Sequence, residues 1–342
     1  MILAAGFGTR LRPLTQTVPK PMVPVLNRPL LERTIELLRS ADIRDIAVNV
    51  HHLPEQILAY FGDGSKFGVN LHFSREEKIM GTAGGIKGVQ GFLEDGTFLV
   101  INSDIIVDID LQRVLEFHRQ RSSLLTLVVR EDDSPKKYDP IEIQEDGRIV
   151  HFVGASSMKL PDNTRRVMFT GIQIMEPEIF PRIPAGKFCG TTEDVFPEMI
   201  EEGLPVFGYL HKGYWIDMGN REQYLQVHKD ALNGKVSLKT DLSRNPQGVS
   251  IVPPVVIGED CRIESNARIG PYAVLGNGCH VKNNSVVENS VLWDGVTVGA
   301  HCRVRRSILG NGVILPEKTE AIDRSVIAGS FKFREKKTRT DS

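Results

Sequence analysis

"VIGEDC RIESNA RIGPYA VLGNGC HVKNNS", Val256 to Ser285, places one aliphatic residue at every sixth position: Ile257, Ile263, Ile269, Leu275 and Val281. An amphipathic helix repeats near 3.6 residues and a half-buried strand repeats every two, so neither carries this period. A six-residue period with Gly or Asn between the aliphatics predicts a parallel β-helix. In such a helix each short strand pairs with the coil above and sends one side chain inward. The register slips once and resumes through Val287, Val298 and Val304. Cys261 and Cys279 lie three hexapeptides apart, which predicts neighbouring coils and a role as small buried fillers rather than metal ligands.

Upstream of the repeats the chain changes character. "NGKVSLKTDLSRNPQGVSIVPP" (233–254) is rich in turn formers and reads as a linker. Before it, strand-like runs alternate with helix-length amphipathic stretches, the pattern of an α/β domain with crossover helices. The expected strands are Ile43 to Val50, Val69 to Phe73, Thr97 to Ile101 and Leu124 to Val129. The expected helices are Leu30 to Ala41, Pro54 to Phe61, Gly84 to Phe92, Leu111 to Gln120, Asp194 to Glu202 and Arg221 to Leu232. The organisation expected is therefore an α/β domain over 1–232, the linker 233–254, the β-helix over 255–330 and a basic, solvated tail over 331–342.

Composition narrows the functional classes. The chain has 342 residues, 41% of them hydrophobic and 25% charged, with a formal net charge of -1. That charge supplies no bulk field to draw in nucleic acid or an anionic membrane, so any anion must be bound locally. No apolar run approaches the roughly 20 residues of a membrane-spanning helix. The four cysteines contain no C-x-x-C pair and no secretory leader precedes them, which predicts a cytoplasmic protein.

The local anion site is expected in "LAAGFGTRLRPLTQTVPKPM" (Leu3 to Met22). A Gly-rich turn after a strand exposes backbone N–H groups suited to phosphate oxygens. Gly6 and Gly8 permit close approach. A dinucleotide fingerprint would need a third glycine where Leu11 stands, and no Gly-Lys-Ser/Thr follows Gly6, so neither common phosphate loop is present. What remains is Arg10 and Arg12 near the turn and Lys20 between Pro19 and Pro21, a frame that restricts where its ammonium originates. Asp104 follows the apolar run "FLVIN", at the carboxyl end of a strand, where open α/β sheets bind ligands. Taken singly, Asp104 or Asp217 suits a turn or a helix cap; with the Gly-rich loop they suit a hard cation. His51 and His52 show no ligand spacing and read as strand-end residues.

"LAAGFGTRLRPLTQTVPKPMVPV" resembles the pattern of the sugar-1-phosphate nucleotidyltransferases, G-x-G-T-R-L-x-P-L-T followed by P-K-P. The resemblance extends through "GTAGGIKG", "INSD", "FTGIQI" and "YWIDMG" and covers essentially the whole chain. It implies a Rossmann-like, mixed but mainly parallel sheet of glycosyltransferase-A type, followed by a left-handed parallel β-helix. It implies transfer of a nucleotidyl group from an NTP to a sugar 1-phosphate, with pyrophosphate released. The sugar phosphate is itself an anionic nucleophile, so positioning and charge neutralisation carry such a reaction. The resemblance gives Arg10 to the triphosphate and has Lys20 bridge the α-phosphate and the sugar phosphate. Asp104 and Asp217 then hold Mg²⁺, making Arg10, Lys20, Asp104 and Asp217 the catalytic set. Nucleotide binding is expected from Leu3, Ala4, Ala5, Gly6, Gly8, Thr9, Arg10, Gly81, Thr82 and Ala83. Sugar-phosphate binding is expected from Lys20, Gly171 and Glu193.

"GTAG" is similar to the guanylyltransferase branch, which favours GTP and mannose 1-phosphate. The sugar side departs from the family pattern. "HFVGASS" (151–157) lacks the usual Glu-Lys-Pro triplet, and "TTEDVFP" puts Thr192 and Glu193 where guanylyltransferases often have Glu-Lys. Arg165 and Arg166 can replace the missing cation or stay solvated. Glucose, N-acetylmuramate or heptose 1-phosphate with a uridylyl or thymidylyl donor therefore remains the alternative. A catalytically silent sugar-nucleotide-binding subunit and an acyltransferase on the β-helix are the other classes. The intact Arg10, Lys20, Asp104 and Asp217 argue against the first. The short helix, whose His280 and His301 lack partners in sequence, argues against the second. The β-helix is expected to make homo-oligomer contacts.

Overall fold

The computed structural model describes residues 1–131, 141–156, 163–239 and 249–329. The expected tail, residues 240–248 of the expected linker and Ser157 lie outside them. The chain forms two compact units: Met1–Phe7, Pro19–Met22 and Pro29–Asp217 in one, Gly8–Val18, Val23–Arg28 and Met218–Ser342 in the other. No helix among the described residues is long and apolar enough to cross a membrane.

The first unit runs through β1 (Ile2–Leu3), α1 (Leu30–Ser40), β2 (Asp45–Val50), α2 (Pro54–Phe61), β3 (Asn70–Arg75), α3 (Gly81–Lys87), β4 (Phe98–Asn102), β5 (Ile105–Val107), α4 (Leu111–Gln120), β6 (Leu125–Glu131), β7 (Arg165–Met175), α5 (Phe196–Glu201), β8 (Val206–Leu210) and β9 (Trp215–Asp217). Strands β3, β2, β1 and β4 are parallel neighbours in that order. β7 then enters antiparallel between β4 and β6, and β8 adds parallel to β6. The sheet is thus mixed, because one long return strand splits its parallel parts. β1 lies between β2 and β4; its own crossover leads to β2, and the crossover from β3 returns past it to β4, so the strand order reverses at β1 and a crevice opens at its carboxyl end.

The helices form where the apolar spacing fits 3.6 residues. In α1, Leu31, Ile35 and Leu38 are buried against the sheet with Ile46 and Val48 of β2. α4 begins where the Asp110 side chain accepts the N–H groups of Gln112 and Arg113 at 3.0 and 3.3 Å. The expected helix Asp194 to Glu202 forms over Phe196–Glu201 as α5, and a π-turn, Thr191–Val195, leads into it.

The second unit contains the β-helix. Three parallel sheets stack, the first running Ser250–Ile251, Arg268–Ile269, Val286–Glu288, Arg303–Arg305 and Glu320–Ile322. Its core is a ladder of fully buried aliphatics, including Val281, Val298 and Leu315 in successive coils. Each contributes about 1.5–2 kcal/mol on leaving water. The coil length changes along the stack: Val255 pairs with Ala273, eighteen residues on, but Ala273 pairs with Ser290, seventeen on, as do Val291 with Ile308 and Ile308 with Ser325. The single expected slip therefore recurs in every later coil. One residue is lost at the corners Asn289, Arg306 and Asp323, whose φ values are 48°, 45° and 54°. Cys261 and Cys279 do sit on neighbouring coils, beside the paired Arg262 and His280, and all the cysteines are free thiols.

The same unit includes helix Arg221–Leu232 and the early segment Val23–Arg28. Tyr224 is fully buried and donates its hydroxyl to the Pro24 carbonyl while accepting the Trp293 indole N–H at 3.0 Å. The Asn27 amide donates to the Leu275 carbonyl at 2.7 Å. Burial holds the Tyr224 hydroxyl protonated far above the ordinary phenol range.

Candidate active site

A cleft of about 260 Å³ opens at the carboxyl ends of β1 and β4. Leu3, Ala4, Ala5 and Gly6 form one wall, Gly81 and Thr82 another, and Lys20 and Asp104 stand at one side. These residues come from three distant stretches of sequence. The sheet register joins them: Leu3 of β1 lies beside Asn102 of β4, and the Ser103 N–H donates to the Leu3 carbonyl at 3.0 Å.

The charged centre is an ion pair. Lys20 Nζ lies 2.6 Å from Asp104 Oδ2, with the two side chains 10% and 26% exposed. Lys20 opens a short helical turn, Lys20–Met22, that follows Pro19 and contains Pro21, and the lysine is buried in it. A pair this shielded is screened little by salt and fixes both groups in place more than it stabilises the fold.

Asp217 reaches the same region through a ribbon. β9 pairs antiparallel with β5, and Asp217 stands opposite Ile105, the residue after Asp104. The ribbon is anchored at Trp215, whose indole N–H donates to the Thr170 carbonyl at 2.9 Å and whose ring lies 5.6 Å from the Arg130 guanidinium. Burial of His211, just before the ribbon, pushes its pKa down and keeps it neutral. Among the described residues no three His, Cys, Asp or Glu side chains gather into a metal cage. Two carboxylates on adjacent strand ends, with nothing softer, are the type of donor that a hard divalent cation takes, its shell completed by water and phosphate oxygens. The residues fit Mg²⁺ and do not fit a structural zinc.

Glycine is required at two positions. Gly81 has φ 78°, and a Cβ there would stand 2.4 Å from the Cys189 carbonyl oxygen. Gly171 has φ 86° at the point where the β7 register shifts, and a Cβ there would stand 2.7 Å from the Asn102 amide nitrogen. Gly171 therefore sits against a cleft residue.

Other expected site residues have the following settings. Ala83 is fully buried within α3 and packs into the core. Gly8, Thr9 and Arg10 belong to the second compact unit, with Gly8 at φ 62° leading into a single 3-10 turn. Glu193 is exposed on the π-turn, where its carboxylate accepts the Thr192 hydroxyl at 2.9 Å.

The sequence reading missed two polar groups in the cleft, Asn49 and Glu76. Asn49 is 3% exposed at the end of β2; its oxygen accepts the Ala4 N–H at 2.8 Å and its amide donates to Glu76 Oε1 at 2.7 Å. The Met80 N–H donates to Glu76 Oε2 at 3.0 Å. The Glu76 carboxylate is thus fixed by one donor on each oxygen, and each oxygen keeps a further lone pair for the cleft. A lone amide inside the buried run "IAVNV" was the available signal for Asn49. Glu76 had none.

A family model described as Nucleotidyl transferase matches residues 1–234. A second, described as the EIF2B subunit epsilon LbH domain, a left-handed β-helix, matches residues 238–338. A UTP–glucose-1-phosphate uridylyltransferase of Synechocystis sp. is 31% identical over 350 residues, covering 94% of this chain and 90% of the relative. A mannose-1-phosphate guanylyltransferase of Mycobacterium tuberculosis is 30% identical over 307 residues, covering 90% and 82%. Among solved structures, HddC from Yersinia pseudotuberculosis superposes with a TM-score of 0.55 at 26% identity, covering 66% of this chain and 96% of that one.

Proposed function

This chain belongs to the nucleotidyl transferase family, and we propose that it transfers guanylyl from GTP to mannose 1-phosphate, giving GDP-mannose and pyrophosphate. The observation that carries the reading is the Lys20–Asp104 pair in the cleft, with Asp217 one register step away. A sugar-phosphate oxygen attacks the α-phosphorus in line; the new P–O bond forms as the bond to the β-phosphate oxygen breaks and pyrophosphate leaves. The nucleophile arrives deprotonated, so no side chain needs to act as a base. Lys20 brings positive charge to the meeting phosphates, where repulsion would otherwise dominate. Asp104 and Asp217 would hold a divalent cation, which supplies further charge neutralisation on the phosphate oxygens. Ala4, Ala5 and Gly6 leave room for the nucleotide backbone.

Glu76 supports guanine. The guanine edge presents two adjacent donors, N1–H and N2–H, which match two carboxylate oxygens. Uracil and thymine present one donor between two carbonyls, which a carboxylate repels. The reading also places the protein in the cytoplasm as a homo-oligomer joined through the β-helix, where Ile314 stands 68% exposed on the outer face. Neither nucleic acid nor membrane enters it as a partner.

The test is pyrophosphate release with GTP, UTP, dTTP and ATP against mannose, glucose, N-acetylglucosamine, N-acetylmuramate and heptose 1-phosphates, with Mg²⁺. GTP with mannose 1-phosphate is expected to be fastest, and Glu76→Gln is expected to erode the preference for GTP by about tenfold. A preference for UTP with glucose 1-phosphate would overturn the substrate pair. Silence across the panel would overturn the activity.

A further inference from the structure

Thr82 lines the cleft, yet its hydrogen bonds run away from it. Its hydroxyl oxygen accepts the Thr191 backbone N–H at 2.7 Å and lies 2.9 Å from the Thr191 hydroxyl. Around this contact the two segments are laced by backbone bonds: the Cys189 N–H donates to the Met80 carbonyl at 2.9 Å, and the Gly84 N–H donates to the Cys189 carbonyl at 3.1 Å. The contact is close enough that Gly81 can be nothing but glycine. A threonine hydroxyl has one donor hydrogen and two acceptor lone pairs, and Thr191 takes up most of that capacity. Little remains for a ligand.

What Thr82 holds is the π-turn Thr191–Val195. A π-turn is a rare local structure, and this one is tied from outside through the Thr82 hydroxyl. Its own bonds wind around Gly190, whose N–H donates to Asp194 Oδ2 at 2.7 Å. The turn carries Glu193, which the sequence assigns to the sugar phosphate, beside Thr192.

On the nucleotidyl-transfer reading, we propose that Thr82 is a positioning residue for the sugar 1-phosphate: it holds the Thr191–Val195 turn and does not read the nucleotide. The cleft wall and the sugar-side turn are then one mechanical piece, and loss of the Thr82 oxygen loosens the turn while sparing the wall.

Steady-state kinetics of Thr82→Val with both substrates varied tests this. The expected result is a KM for the sugar 1-phosphate raised about tenfold, a KM for the NTP changed less than about twofold, and recovery in Thr82→Ser, which keeps the oxygen. Thr191→Val removes only the hydroxyl contact and is expected to raise the same KM by a smaller factor. If Thr82→Val does not fold, Thr191→Val decides the matter by which KM moves. A rise in the NTP KM alone, or an unchanged sugar KM in a folded Thr82→Val or Thr191→Val protein, overturns the proposal. Wild-type protein that releases pyrophosphate with no substrate pair sinks the function itself; active wild-type with the wrong KM pattern sinks only the role of Thr82.

Discussion

In the β-helix, Val281, Val298 and Leu315 do one job three times over, each stacked on the next coil. In the sheet unit, Leu3, Lys20, Asn49, Glu76 and Asp104 meet in one cleft and each does something different. Repetition spreads stability evenly, so no single rung carries a function. Convergence concentrates function in a few side chains whose removal costs the fold little. The two units of this chain should therefore fail in different ways when mutated.

The largest effect is expected from Lys20→Met. It should lower kcat/KM about a thousandfold, while the melting temperature moves by only a few degrees. A loss of stability matching the loss of activity would mean the pair is structural. The converse belongs to the β-helix: Leu309, fully buried between Leu292 and Val326, is expected to cost about 2–4 kcal/mol as Leu309→Ala in chemical denaturation, with KM values unchanged in the folded fraction. Catalytic parameters that shifted with Leu309→Ala would blur the division of labour.

A smaller effect separates the units by pH. His118 in the sheet unit is 1% exposed, bonded to Thr126 at 2.8 Å and Glu176 at 2.9 Å, and burial lowers its pKa from 6.5 against the opposing pull of Glu176. The unfolded chain takes up this proton first as pH falls. Stability from the neutral ring is thus complete above about pH 6.5 and declines below it, until the folded state also protonates. Denaturation midpoints between pH 7.5 and about 5 should fall in the wild type and flatten in His118→Gln. A slope unaltered by the substitution would assign the pH dependence to other groups.

The same contrast explains what was legible in sequence. The β-helix announced itself because its period is strict, and only the recurrence of the slip was missed; a one-residue shorter corner at Asn289 looks in sequence like a single fault. The helices Pro54–Phe61 and Leu111–Gln120 of the sheet unit and Arg221–Leu232 of the other agree with expectation to the residue, since proline or a capping side chain marks each start. β7 went unread because Gly171 interrupts it and its partners lie far away on both sides. The π-turn went unread because its stability comes from Thr82, more than a hundred residues upstream. In the cleft, Lys20 and Asp104 were visible because their immediate neighbours give them away. Glu76 was not, because its setting exists only once β2 and β3 lie side by side.

The central claim is that the cleft at Asp104 performs nucleotidyl transfer. Pyrophosphate release by Asp104→Asn, measured beside its melting temperature, tests it most directly. Turnover reduced at least about a hundredfold with melting held within a few degrees of wild type is the predicted result. Wild-type turnover in a folded Asp104→Asn protein would contradict it and move the chemistry elsewhere.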